Sequence, residues 1–111
     1  MRDYNLHLED ILISIDKIQK YLNGMTLEEF LENDLVLDAV IRNLAIIGEA
    51  SRHLSASVWK KRINVEWEKI VGLRNILIHE YFGVDNEILW DIVQNKLPLF
   101  KKEIVAYLKK R

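Results

Sequence analysis

The chain contains no cysteine, so it can form neither a disulfide framework nor a zinc site with thiolate ligands. It has no run of apolar residues long enough to span a membrane. Near the N-terminus, Glu9 and Asp10 interrupt the apolar residues, unlike the uninterrupted hydrophobic segment of a signal peptide. These absences predict a cytoplasmic protein with no membrane association.

The chain also lacks a large excess of charge of either sign, because its formal net charge is −1. A protein that held nucleic acid by charge alone would be far more basic. The charge is nevertheless uneven: residues 1–55 carry five Lys or Arg against ten Asp or Glu, and residues 56–111 carry eleven against seven. This asymmetry permits an anionic ligand on one side of the molecule, or the electrostatic docking of a partner.

Strand signals, internal repeats, low-complexity segments and long linkers are missing as well, and helical periodicity runs through almost the whole chain. The first apolar stripe recurs at spacings of three and four, at Tyr4, Leu8, Ile11, Ile15, Ile18 and Leu22. The predicted long helices span about residues 4–22, 35–53, 65–82 and 86–109. Short connections between long helices favour antiparallel neighbours. The sequence therefore predicts an all-α, up-and-down helical bundle of four long helices plus short helices, in one domain over residues 1–111.

Particular residues mark the predicted helix ends. Gly24 lies where the first helix should stop, and Thr26 with Glu29 forms a capping-box sequence that opens a short helix. Pro98 lies inside the last helix and should kink or restart it, because its ring removes a backbone hydrogen bond.

Some residues of the first helix lie off its main apolar stripe. Leu12 and Ile13 are either scattered surface residues or a second face that binds a partner chain, and the partner chain is the favoured interpretation. His7 and His53 have no other catalytic residue types near them in the sequence, so both are expected at the surface.

The segment Arg74–Tyr81 is the most informative for function, because it reads R-x-x-x-x-H-x-Y late in an amphipathic helix. Arg74 supplies a fixed cation, Asn75 an amide, His79 a titratable imidazole and Tyr81 a phenol. Together these groups suit a phosphodiester ligand.

The spacing of Arg74 and His79 bears on the oligomeric state. In a straight helix the two side chains are about 140° apart, so one copy directs both at one small ligand only if Arg74 bends round. Either the helix frays near Gly83, or two copies of the motif meet across a two-fold axis. The second alternative is more economical and predicts a functional homodimer.

Three blocks of the sequence resemble the HepT-like branch of the HEPN superfamily, and the resemblance extends over nearly the whole chain. The blocks are Asp38–Asn43, Ile47–Ala50, and Gly72–Asn75 continuing through Tyr81–Asp85, with Trp90 and Leu97–Pro98 beyond them. A bare R-x-x-x-x-H would be weak evidence, but three blocks in this order and at this chain length identify the family.

The resemblance implies an all-helical dimer that acts as the toxin of a type VII-like toxin–antitoxin pair, with a minimal nucleotidyltransferase as its antitoxin. It implies a metal-independent endoribonuclease without a cofactor, whose substrate is RNA, tRNA among the candidates. Carried over, Arg74 and His79 are catalytic and Tyr81 accepts adenylyl groups that silence the toxin. Asn75 is a supporting polar residue, and Glu49 on the third helix is a supporting partner for Arg74.

Each of these residues also has an ordinary structural interpretation. Arg74 could be an ion-pair residue with Glu49, His79 a cap of helix carbonyls, and Tyr81 an aromatic residue of the core or an interface. Three function classes therefore stay open: a toxin ribonuclease, a dimer that binds nucleotide or RNA without cutting it, and a docking protein that is modified by a nucleotidyltransferase.

Overall fold

The computed structural model describes residues 4–54 and 86–110 of the chain. Within these two ranges every regular element is helical and no strand occurs, which confirms the predicted all-α class and agrees with a HEPN-like bundle. The predicted helix at about residues 65–82 lies outside the described residues. None of the described helices combines the length and the apolar character of a membrane span.

The described elements comprise five α-helices and one π-helical turn. In chain order they are α1 (Tyr4–Tyr21), α2 (Leu27–Glu32), α3 (Asp34–Arg52), α4 (Asn86–Asp91), the π-helical turn (Ile92–Lys96) and α5 (Leu97–Lys110).

The connection from α1 to α2 forms as the sequence predicts. Gly24 adopts φ = 77°, a left-handed conformation that a glycine accepts without steric conflict. The backbone N–H of Glu29 then donates to Oγ1 of Thr26 at 3.2 Å, and the Thr26 N–H donates to Oε1 of Glu29 at 3.0 Å. The predicted capping box is thus confirmed.

A single core joins α1, α3 and α5. The predicted stripe of α1 is buried from Leu8 to Leu22, and α3 contributes Val40, Leu44 and Ile47. Fully burying one such aliphatic side chain stabilises a fold by about 1.5–3 kcal/mol. Ring contact between His7, near the start of α1, and His53, after α3, indicates that the two helices run antiparallel.

The last helical segment changes its hydrogen bonding before Pro98. Leu97 donates its N–H to the carbonyl of Ile92, five residues earlier, and regular α-helix resumes at Leu97. Pro98 consequently lies in the first turn of α5, where a missing N–H is tolerated. Asp91 and Leu97 both have right-handed helical dihedral angles, so the disturbance predicted at Pro98 takes the form of a change in hydrogen bonding within a continuous helix.

The two off-stripe residues of α1 have different environments. Leu12 is partly buried against the core of its own chain, so only the remaining part of its side chain could contribute to a second face. Ile13 is 54% exposed and remains available to a partner. Burial separates these neighbours because their side chains point about 100° apart around the helix.

Candidate functional site

The residues predicted to form the site fall into two groups. Glu49 lies in the last turn of α3 and is described. The four motif residues, Arg74, Asn75, His79 and Tyr81, lie outside the described residues. The surroundings of Glu49 are therefore the part of the predicted site that can be built from contacts.

Glu49 contacts two side chains that follow it in the chain, one from the last residue of α3 and one from the residue just after it. Its Oε1 accepts a hydrogen bond from Nη2 of Arg52 at 2.7 Å and lies 3.5 Å from Nε2 of His53. The spacings of three and four residues place all three side chains on one face of the helix. Glu49 is 37% exposed, whereas its Oε2 atom is buried.

The contact with Glu49 changes the acidity of Arg52. The hydrogen bond to Glu49, followed by the direct charge attraction, raises the pKa of Arg52 above its ordinary value. An arginine is charged at every physiological pH, and the contact with Glu49 reinforces this state of Arg52. Basic side chains at the end of α3 are also favoured by the helix dipole.

His7 connects this cluster to α1. Its ring stacks on that of His53, with the centroids 5.0 Å apart and the planes inclined by 10°. His7 is only 8% exposed, so the prediction that it is a surface residue is wrong, while His53 is exposed as predicted. The contact with His53 depends on how α1 and α3 pack, which no local sequence pattern reveals.

Two more polar residues of α3 are buried near Glu49 in the sequence. The Nδ2 group of Asn43 donates to the carbonyl of Ala39 at 2.9 Å. The hydroxyl of Ser51 is fully buried and has no hydrogen-bond partner within the described part of the chain. Buried polar atoms are nearly always paired in native proteins, so the Ser51 hydroxyl is an unusual feature of α3. It lies about 200° around the helix from Glu49 and therefore does not belong to the face that carries Glu49 and Arg52.

The arrangement at the end of α3 can position other groups. A partly buried carboxylate held by Arg52 has a restricted orientation, and it can accept hydrogen bonds from a second cation or an imidazole. The sequence suggested Glu49 for such a role but not Arg52, His53 or His7. The i+3 and i+4 spacings from Glu49 were a readable signal for Arg52 and His53, whereas His7 offered none.

Comparisons with known proteins agree on one family. The model of the family described as ribonuclease HepT-like matches residues 11–107. Putative RNase MJ1380 of Methanocaldococcus jannaschii is 46% identical over 103 residues, which cover 93% of this chain and 94% of that protein. Putative RNase MJ0127 of the same organism is 43% identical, and the match covers 97% of this chain and 89% of that protein.

A relative from a second organism carries the family name itself. Probable ribonuclease HepT of Thermococcus cleftensis is 36% identical over 100 residues, which cover 90% of this chain and 91% of that protein. No solved structure matches the chain. A family match over most of the residues, together with full-length relatives at these identities, shows that the chain belongs to the ribonuclease HepT-like family.

Proposed function

We propose that this chain is a metal-independent endoribonuclease, the toxin of a type VII-like toxin–antitoxin pair. The observation that carries the proposal is that the ribonuclease family match spans residues 11–107 and so includes the R-x-x-x-x-H motif, Arg74 to His79. The names of the relatives support an activity on RNA. The proposal includes a single domain over residues 1–111, acting in the cytoplasm.

The chemistry needs no metal, because RNA carries its own nucleophile in the 2′-hydroxyl. One His79 removes the 2′-hydroxyl proton while the 2′-oxygen attacks phosphorus, and the bond from phosphorus to the 5′-oxygen breaks. A second, protonated His79 donates to the leaving 5′-oxygen. The products are a 2′,3′-cyclic phosphate, which hydrolyses to a 3′-phosphate, and a 5′-hydroxyl.

Arg74 acts on the phosphate rather than on the protons. Its planar guanidinium donates two parallel hydrogen bonds to phosphate oxygens and stabilises the charge that develops on them. A homodimer supplies two copies of Arg74 and His79, which allows one histidine to act as base and the other as acid.

Glu49 and Asn75 support the catalytic pair. The carboxylate of Glu49 accepts a hydrogen bond from Arg52 through Oε1, and its Oε2 atom is buried. The family resemblance pairs this same residue with Arg74. A carboxylate in that position limits the orientations of an arginine. Asn75 contributes an amide that can donate to phosphate.

The antitoxin of the pair is a minimal nucleotidyltransferase, and Tyr81 is the acceptor of its adenylyl groups. Adenylylation of a phenol two residues after His79 adds a bulky anion beside the phosphate site. Such an anion repels RNA phosphates and blocks access to the motif. Silencing of the toxin follows from both effects.

The decisive test is cleavage of total RNA and of a tRNA pool by purified, unmodified protein in EDTA. Wild type should cut, while Arg74→Ala and His79→Ala should not, because they remove the phosphate ligand and the proton-transfer group. Arg42→Ala is the matched control, since Arg42 is an exposed arginine on α3, and it should cut like wild type.

The other outcomes separate the remaining function classes. Cleavage that requires an added metal, or that survives His79→Ala, contradicts the proposed mechanism. RNA binding without cleavage by a folded dimer favours a non-catalytic binding module. Neither binding nor cleavage, with modification by the partner, favours a docking protein.

Adenylylation is tested by intact mass after incubation with the nucleotidyltransferase and ATP. The mass of wild type should rise by whole adenylyl units, and Tyr81→Phe should remain unmodified. Tyr21→Phe removes an exposed phenol at the end of α1 and should be modified like wild type. Modification of the Tyr81→Phe variant would place the acceptor elsewhere.

A further inference from the structure

A cavity of about 280 Å³ lies between the end of α1 and the π-helical turn. The C-terminal turn of α1, the segment Asn23–Met25, the π-helical turn and Pro98 line it. The volume approaches the lower end of the range for small-molecule pockets, roughly 300–1,000 Å³. It is therefore large enough for one planar group rather than for a whole cofactor.

The walls of this cavity combine an apolar base with three carboxamides. Ile18, Leu22 and Val93 contribute buried aliphatic side chains. The carboxamides belong to the remaining polar lining residues, Gln19, Asn23 and Gln94. Among the described residues that line the cavity none is acidic or basic, so this part of the lining suits a neutral group with several donors and acceptors.

The carboxamides retain hydrogen-bonding capacity for a ligand. Lys101 donates to Oε1 of Gln19 at 3.5 Å, which leaves the amino group of Gln19 as a donor. Within the described residues, no hydrogen bond uses the carboxamide of Asn23 or of Gln94. Each of these two groups can thus offer one acceptor and two N–H donors.

The π-helical turn gives this wall an unusual backbone. Val93 and Gln94 lie in that turn, and Pro98 follows it on the same side of the cavity. Short π-helical insertions are found frequently at functional sites. The widened turn is therefore a second feature, independent of the side chains, that points to a ligand here.

We propose that this cavity binds one unstacked nucleobase of single-stranded RNA, with adenine preferred. A carboxamide presents a donor beside an acceptor, which pairs with the N6 and N7 edge of adenine. Sequence-dependent recognition of RNA relies on unstacked bases whose edges are hydrogen-bonded and whose faces stack on aromatic or arginine side chains. In the described lining of this cavity, Ile18, Leu22 and Val93 would cover the face of the base instead. The inference rests on the proposed function, because that function makes RNA the ligand.

The test measures binding of short, fluorescently labelled 2′-O-methyl oligonucleotides. They lack the 2′-hydroxyl nucleophile, so binding is observed whether or not the protein is a nuclease. Oligo(A) should bind more tightly than an abasic strand of equal length. Gln94→Ala and Asn23→Ala should each weaken oligo(A) binding by roughly 3- to 10-fold, as expected for one lost hydrogen bond, and leave abasic binding unchanged.

Asn95→Ala is the matched control, because Asn95 is an exposed carboxamide in the same turn that does not line the cavity. Its affinity for oligo(A) should equal that of wild type. The side-chain amide NMR signals of Gln19, Asn23 and Gln94 should shift with oligo(A) and not with the abasic strand.

Several results would overturn the inference. The first is equal affinity of wild type for oligo(A) and for the abasic strand. The second is a loss of oligo(A) affinity in Asn95→Ala as large as that in Gln94→Ala and Asn23→Ala. The third is a shift of the side-chain amide NMR signals with a short neutral peptide but not with oligo(A). Base-dependent binding without RNA cleavage supports the cavity while contradicting the proposed nuclease. Cleavage of RNA with an unchanged KM in Gln94→Ala and Asn23→Ala contradicts the cavity alone.

Discussion

Thr26 and Glu29 cap the start of α2 through two reciprocal hydrogen bonds. Of the two side chains, that of Glu29 is titratable. The backbone N–H of Thr26, followed by its side chain, lowers the pKa of Glu29 below the ordinary value of 4.5. A carboxyl group whose pKa is lower in the folded state stabilises the fold above its unfolded pKa. That contribution is lost as the pH falls through the folded pKa.

The first prediction concerns this cap. Glu29→Gln should lower the thermal midpoint at neutral pH. Its difference from wild type should begin to shrink near pH 4.5, where the carboxyl group of the unfolded chain takes up its proton, and should be lost once the pH falls below the lower pKa of the folded state. Thr26→Ala should lower the free energy of unfolding by about 1 kcal/mol. Glu28→Gln removes a charge from the same turn without removing a cap. If Glu28→Gln lowered the thermal midpoint as much as Glu29→Gln, the effect would come from charge alone and not from the cap.

Glu49 is the residue at which a positioning role can be separated from a structural one. Glu49→Gln keeps an oxygen that can accept from Arg52 but removes the negative charge. If the charge orients Arg74, kcat/KM for RNA should fall about tenfold, equivalent to about 1.4 kcal/mol, with little change in the thermal midpoint. Glu49→Asp should retain more activity than Glu49→Gln.

Glu103→Gln is the control for that prediction, because it removes a partly buried carboxylate of α5 and should cleave like wild type. Unchanged cleavage by Glu49→Gln would remove Glu49 from the site. A large fall in thermal midpoint would instead give it a role in folding.

At the scale of the elements, α5 is attached to the rest of the fold by the buried side chains on one of its faces. Phe100 is fully buried in the core shared with α1, whereas its neighbour Leu99 is 59% exposed. On the outer side of the same contact, Nζ of Lys101 lies 2.8 Å from Oδ1 of Asp16. This exposed ion pair contributes at most about 1 kcal/mol, so apolar burial dominates the attachment of α5.

A pair of substitutions on α5 tests whether apolar burial dominates its attachment. Phe100→Ala should lower the free energy of unfolding by about 3–5 kcal/mol, because it removes a buried ring and leaves a cavity. Leu99→Ala, at an exposed position of the same helix, should change it by less than about 0.5 kcal/mol. Urea denaturation of both variants provides the measurement. Similar losses at the two positions would mean that Leu99 is covered by another chain.

At the scale of the whole molecule, the proposed homodimer can be tested with a mixed dimer of one wild-type and one His79→Ala subunit. The proposed mechanism uses the two histidines of one cleft as base and acid, so this mixed dimer lacks one of the two proton-transfer groups. It should cleave RNA at least about tenfold more slowly than the wild-type homodimer, a difference of about 1.4 kcal/mol in the barrier.

A dimer of two wild-type chains, assembled through the same two tags, controls for the mixing procedure. A mixed dimer that keeps about half of the wild-type rate would show that each chain forms a site of its own. That result would favour the alternative in which the helix departs from regular geometry near Gly83.

Most of the described fold could be predicted from the sequence because the deciding interactions are local. Helical periodicity predicts α1 and α3 to within a few residues, and the spacing of Thr26 and Glu29 predicts the capping box. Gly24 and Pro98 act through their own backbone chemistry. Such features depend on residues at most a few positions apart, so they can be identified before the tertiary structure is known.

The candidate site divides in the same way. The family resemblance identified the motif from residue types and order, and the family itself is confirmed, while the roles of Arg74 and His79 stay predictions. The two histidines outside the motif show what sequence patterns miss. His7 could not be predicted as buried, because its burial and its contact with His53 come from two helices far apart in the chain.

The sequence by itself determined the helical class, the helix ends in the described parts and the family, since each depends on short-range spacing or on residue identity. Tertiary structure alone decided that Leu12 packs against the core, that His7 stacks on His53, and that a carboxamide-lined cavity forms beside the π-helical turn. The physical reason is that burial and contact between distant segments depend on which helix faces pack together, and one helix's periodicity does not specify its partner.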